Sequence, residues 1–181
     1  ENPLEISVGE STVLFAFFFR GEVQAFDRAT GEVQDLHFDT PGNVLFLDPE
    51  RFLVTEVVGG RLLEIDLPRA LSAESAAEAT RKIVSGLGEP VGLVAAGVGK
   101  VYVSEASTGI VSEIDLVSGE KRVIAADLQQ PEGIAVLPDG IFIGLSSQGQ
   151  DPAEVICCRS VDESRSFETI SRFANPPGHS G

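Results

Sequence analysis

The stretch Lys100 to Gly140, KVYVSEASTGIVSEIDLVSGEKRVIAADLQQPEGIAVLPDG, decides the fold. Val101-Tyr102-Val103 is a short β-branched and aromatic strand. Ser107-Thr108-Gly109 is turn chemistry. Ile110 to Leu116 is a second strand, with Ile110, Ile114 and Leu116 apolar and Ser112, Glu113 and Asp115 polar. Ser118-Gly119 turns the chain again, Gly119 suiting a positive φ. Lys121 to Ala125 is a third strand, Gln130-Pro131-Glu132-Gly133 breaks the chain, and Ile134 to Leu137 is a fully apolar strand before the Pro138-Asp139-Gly140 turn. Short strands punctuated this often specify a sandwich, a barrel or a propeller.

The same pattern recurs outside this stretch. An x-Pro pair stands at Asn2-Pro3, Thr40-Pro41, Glu89-Pro90, Gln130-Pro131 and Asn175-Pro176, at intervals of 38, 49, 41 and 45 residues. Asp27, Asp66 and Asp115 follow their prolines by 24, 25 and 25 residues. Gly21, Gly60 and Gly109 each precede that Asp by six. Both Asp27–Glu32 and Asp115–Glu120 read D-x-x-[ST]-G-E. Three markers in phase, with a period near 40 to 50, match the radial repeat of a β-propeller blade. The reading is therefore all-β: about four four-stranded blades and the start of a fifth, forming part of a six- to eight-bladed ring or completed by another chain. The blades span 3–39, 41–88, 90–129 and 131–174 of one domain, and 175–181 opens the next. The Asp and Gly markers are structural, the Asp side chains capping turns.

Within the blades, Val13 to Phe19 reads as one aromatic strand, packed between blades or against another chain. Residues 70–80 are a helical insertion in blade two. Ser72 is the expected N-cap and acids follow in the first turns. The helix should sit on the outer rim and be dispensable to the β fold. Blade four diverges: 25 residues after Pro131 stands Ile156, not Asp.

Pro-Glu-Gly-Ile-Ala-Val…Pro-Asp-Gly, with Val-Tyr-Val-Ser-Glu and Glu-Ile-Asp-Leu, resembles the blades of a known group of propellers. These are NHL-repeat proteins, the SMP-30/gluconolactonase and strictosidine-synthase-like proteins, and virginiamycin B lyase-like proteins. The resemblance covers residues 3 to about 173 and is specific for fold, since one blade type serves scaffolds, binders and enzymes. In the SMP-30-like enzymes, carboxylates and an Asn from the innermost strands hold an axial divalent metal. The position after each Pro holds Leu4, Gly42, Val91, Glu132 and Pro177 here, and the next holds Glu5, Asn43, Gly92, Gly133 and Gly178. The resemblance thus implies Glu132, Glu5 and Asn43 as candidate oxygen ligands for Ca²⁺ or another divalent cation. The set is sparse, and the expectation is no cofactor. His179 takes the place of Ile6, Val44, Leu93 and Ile134 and resembles the general base of virginiamycin B lyase-like and paraoxonase-like propellers. Glu56 and Glu105 end equivalent second strands, where blade one has Phe17. They are read as acceptors for loop amides, and His37 as solvent-facing.

Composition narrows the function further. Lys and Arg total 13 against 28 Asp and Glu, a net charge of −15, which opposes nucleic acid and anionic membranes. The longest apolar run, Val13 to Phe19, is too short to cross a bilayer. Cys157 and Cys158 are adjacent and read as reduced thiols without a disulfide framework. There is no Met and no leader, so the chain reads as a processed or partial form, and no Asn-x-Ser/Thr supplies glycosylation evidence for secretion. A secreted or organellar protein is compatible, and the compartment stays open. The leading expectation is a non-enzymatic scaffold or interaction module, a subunit whose open blade faces are covered by a protein partner or a second copy. The alternative is a metal-dependent propeller hydrolase or lyase with its remaining site residues outside this chain.

Overall fold

A computed structural model describes residues 2–73, 76–137, 140–145, 154–160 and 167–174. The described residues form sixteen strands in four antiparallel sheets, each of four strands that follow one another in the chain. This is a β-propeller of four-stranded blades. The chain divides into two compact units, 1–90 with 117–119, and 91–116 with 120–181.

Blade one consists of β1 (Glu5–Val8), β2 (Thr12–Phe17), β3 (Glu22–Asp27) and β4 (Val33–His37). Blade two consists of β5 (Pro41–Asp48), β6 (Arg51–Glu56), β7 (Arg61–Asp66) and β8 (Thr80–Ser85). Strands β1 and β2 pack on β5. Between the two blades Leu14, Ala16, Val23 and Ala25 meet Val44, Phe52, Val54 and Ile65 in the core of the first unit. Alternation along each strand puts these residues on facing surfaces.

The second unit holds β9 (Pro90–Gly97), whose first residue belongs to the first unit, with β10 (Lys100–Glu105), β11 (Ile110–Asp115) and β12 (Lys121–Ala125). Its other blade is β13 (Pro131–Leu137), β14 (Gly140–Leu145), β15 (Glu154–Ser160) and β16 (Phe167–Ala174). Tyr102, Val111, Ile124, Ile141 and Ile143 form its core.

The sequence markers become backbone geometry. Gly21, Gly60 and Gly109 have φ of 65°, 58° and 67°. Their carbonyls accept from Phe38, Leu87 and Leu128 at 2.9, 3.0 and 3.0 Å. A Cβ on any of the three would strike the carbonyl oxygen of that same partner, so only Gly fits. Thr40, Glu89 and Gln130, the residues before three of the prolines, also have positive φ, at 51°, 53° and 43°. Register slips just after Pro41 and Pro131, so each inner strand enters through a bulge. Asp27 accepts from the amides of Ala29 and Thr30, both at 2.8 Å, and Asp66 accepts from Arg69 N at 2.9 Å.

Three expectations need correction. Strand β2 ends at Phe17, and Phe18–Arg20 form a 3₁₀ turn. Phe19 is 82% exposed, edge-on to Phe18, and the Arg20 guanidinium lies over the Phe17 ring. Gly21 sets this stop, because its left-handed φ cannot continue a strand.

The insertion in blade two begins earlier than residue 70, as helix α1 (Leu67–Ser72), followed by a 3₁₀ turn at Ala76–Ala79. Asp66 caps it, not Ser72, which lies in its last turn. A capping carboxylate with Pro68 in the first turn starts the helix as soon as β7 ends. Leu67, Ala70, Ala76 and Ala79 belong to the first unit's core, so the insertion is packed in and is no detachable rim.

On β15 the register steps between Cys157 and Cys158, which pair with Ser171 and Thr169. His179 and the start of a fifth blade, 175–181, lie outside the described residues.

Candidate functional site

The inner strands bring two of the sequence candidates together. Asn43 Nδ2 donates to Glu5 Oε2 at 3.3 Å, and one turn of the pleat away Ser7 Oγ accepts from Phe46 N at 3.2 Å. These contacts tie β1 to β5. Asn43 presents its N–H, and Glu5 Oε1 accepts from the Ile6 amide at 3.3 Å. A hard cation takes about six to eight oxygens. Two residues bonded to each other, one through nitrogen, do not fit that requirement. Glu132, in the second unit, has an exposed side chain, and its carbonyl accepts from Ser104 Oγ at 2.6 Å. Among the described residues no three His, Cys, Asp or Glu side chains converge as metal ligands.

The buried carboxylates lie elsewhere, inside the blades. Glu56 is almost fully buried; its Oε1 accepts from the Asp39 amide at 2.9 Å, and its Oε2 lies 2.5 Å from Arg61 Nη2. The second contact is an ion pair at an angle that makes no hydrogen bond. Glu105 accepts from Ser112 Oγ at 2.6 Å and from Lys121 Nζ at 3.2 Å. Glu56 therefore accepts a loop amide, as its place at the strand end suggests. Glu105 accepts side-chain donors and holds strand to strand.

A second set recurs between blades. In blade two, Glu64 on β7 pairs with Arg51 on β6 at 3.3 Å and Arg81 on β8 at 2.6 Å. In the β9–β12 blade, Glu113 on β11 pairs with Lys100 on β10 at 2.9 Å and Arg122 on β12 at 3.3 Å. Each carboxylate sits directly opposite its arginine, Glu64 on Arg81 and Glu113 on Arg122. The last three strands of each blade are thus clamped by one largely buried acid and two cations. The sequence signal was the repeated Glu-Ile-Asp at 64–66 and 113–115. The Glu stands two places before the periodic Asp in both blades.

At the outer side of the first unit, a cleft of about 480 Å³ is lined by His37, Phe38, Asp39, Arg61, Leu63 and Lys82. Burial of Glu56 at its floor and the Arg61 pair give it fixed charges. His37 is solvent-facing, its Nδ1 3.9 Å from Glu22 Oε1.

Blade one also presents an unusual face. Opposite pairs across its strands align Val8, Val13, Phe26 and Val33 in one row, and Ile6, Phe15, Gln24 and Asp35 in the next. Leu4, Ile6, Val8 and Val33 are 59, 50, 67 and 53% exposed. Residues between them in sequence (Leu14, Ala16, Val23, Ala25) are buried toward blade two. In blade two, by contrast, successive residues Phe52, Leu53 and Val54 of β6 are all fully buried.

No protein-family model and no curated protein matches the sequence. Solved structures do match. Virginiamycin B lyase from Staphylococcus aureus aligns with a TM-score of 0.69 at 12% identity, over 97% of this chain and 56% of that one. Hydrazine synthase from Kuenenia stuttgartiensis aligns with a TM-score of 0.75 at 17% identity, over 96% of this chain and 49% of that one. The computationally designed Ika4 protein aligns with a TM-score of 0.62 at 13% identity, over 86% of this chain and 90% of that one. The chain spans about half the length of the two natural structures. Identities this low carry the fold alone, and that fold is the β-propeller.

Proposed function

We propose that the chain is a non-enzymatic propeller module that binds a second copy of itself through the outward face of blade one. The apolar row Val8–Val13–Phe26–Val33, with Leu4 and Ile6 beside it, is the observation that carries this reading. Blades bury such faces against other blades, and the inward face of blade one does so on blade two. Covering a half-exposed Leu, Ile or Val contributes about 1 kcal/mol per side chain. Apolar rows of this extent on a soluble surface mark contact sites. The commitment of buried carboxylates to ion pairs within the blades adds support, since those groups are already engaged in structure.

Sedimentation velocity of the intact chain tests the proposal. The wild type should associate as concentration rises, and an Ile6→Glu/Val8→Glu variant should stay monomeric with an unchanged melting temperature. Equal monomeric behaviour of both would refute it. The enzymatic alternative makes a different forecast: Ca²⁺ would raise the melting temperature by several degrees through binding to the native state.

A further inference from the structure

The cleft in the first unit has no part in that contact. It opens between the end of β4 and the strands β6, β7 and β8. Its volume of about 480 Å³ lies in the range of small-molecule sites. Phe38 and the nearly buried Leu63 give it an apolar wall. Glu56 is spent on the Asp39 amide and on Arg61. That contact holds one edge of the guanidinium, and Gly59 lies against it so closely that a Cβ there would meet Nε at 3.0 Å. Arg61 is therefore held in place at the cleft. Two residues of opposite charge complete the lining, Lys82 and Asp39, and neither side chain has a protein partner among the described residues.

We propose that this cleft binds a small zwitterion with an apolar body, an apolar α-amino acid. Its carboxylate meets Lys82 and the free edge of Arg61, its ammonium meets Asp39, and its side chain lies on Phe38 and Leu63. A simple organic anion would satisfy the cations alone, against the field of a chain carrying a net charge of −15. A simple amine would face Lys82 and Arg61. A zwitterion is neutral overall and complements both signs at once, with charge-assisted bonds at each end.

Calorimetric titration of the intact chain with L-phenylalanine, phenylacetate and phenethylamine tests this. Phenylalanine should bind saturably at one site, and each truncated probe should bind about tenfold more weakly or worse, one lost charged contact being worth about that factor. Lys82→Ala and Asp39→Ala should each weaken phenylalanine binding by about tenfold while leaving the melting temperature unchanged, because both side chains are exposed. Absence of saturable binding overturns the proposal. So does a truncated probe that binds as tightly as phenylalanine, or binding that either variant leaves intact.

Discussion

The Ser104 hydroxyl donates to the Glu132 carbonyl at 2.6 Å, and so ties the second strand of one blade to the first strand of the next. The same oxygen accepts the Gly92 amide at 2.7 Å. A Cβ on Gly92 would collide with the Glu132 carbonyl oxygen, so two inner strands meet here with no room for a side chain. Thr55 holds the equivalent place in blade two, accepting from Asn43 N at 2.8 Å. Ser104→Ala should destabilise the chain by about 1–3 kcal/mol, because it leaves the buried Gly92 donor and the part-buried Glu132 carbonyl without this partner. Urea denaturation measures this, and a change below about 0.5 kcal/mol would remove the hydroxyl from the account.

Gly109 and Gly31 separate two effects that glycine can have. Both have positive φ, 67° and 78°. Only Gly109 also abuts backbone, the Leu128 carbonyl; around Gly31 there is open space. Gly31→Ala should cost about 1 kcal/mol, the conformational term alone. Gly109→Ala should cost clearly more, about 3 kcal/mol, since the neighbouring backbone must also move. Equal losses in chemical denaturation would show that the close approach to Leu128 adds nothing to the cost.

Glu113 is the buried centre of its clamp, and its cations are 35 and 41% exposed. Glu113→Ala should lose about 2 kcal/mol, less than for a wholly buried pair because Lys100 and Arg122 can turn to water. Arg122→Ala should lose under about 1 kcal/mol, as Lys100 still neutralises the acid. The reverse ranking would mean that the arginine, not the carboxylate, organises the three strands.

Two carboxyls contribute to the acid limb of stability. The Thr30 and Ala29 amides hold the Asp27 carboxyl below the usual carboxylate range. Hydrogen bonds from Arg51 do the same for Asp48, and Asp48 in turn raises Arg51. A carboxyl with a lower pKa when folded stabilises fully above its unfolded value of about 3.9, and that stabilisation fades as pH falls through the lowered value. The melting temperature should therefore drop below about pH 4, and Asp27→Asn with Asp48→Asn should flatten the drop. Thermal melts from pH 2 to pH 6 that keep the wild-type slope in the double variant would contradict this.

The parts of this fold that were legible in the sequence are those fixed by one residue's backbone. Gly109 needs a left-handed φ and a missing Cβ, and Pro131 marks a bulged strand entry, so both recur in phase and can be counted. The α1 start is ambiguous in sequence because Ser72 and Asp66 are both good caps; Pro68, two residues after Asp66, tips the choice. The stop of β2 at Phe17 was hidden because Phe18 and Phe19 continue an apolar run that no periodicity interrupts. The Glu64 and Glu113 clamps are tertiary. Their cations lie 13 and 17, and 13 and 9, residues away, and only strand register brings them together. The Phe38–Leu63 cleft likewise arises from two blades, and neither segment announces it alone.

The central claim is that the outward face of blade one is a contact surface for a second copy. Hydroxyl-radical footprinting at low and high protein concentration tests it residue by residue. Ile6, Val8, Phe15 and Val33 should lose labelling at high concentration, while Phe19, exposed on a turn outside the row, should label equally at both. Labelling of Ile6 and Val8 that stays constant across concentrations at which the chain associates would contradict the account.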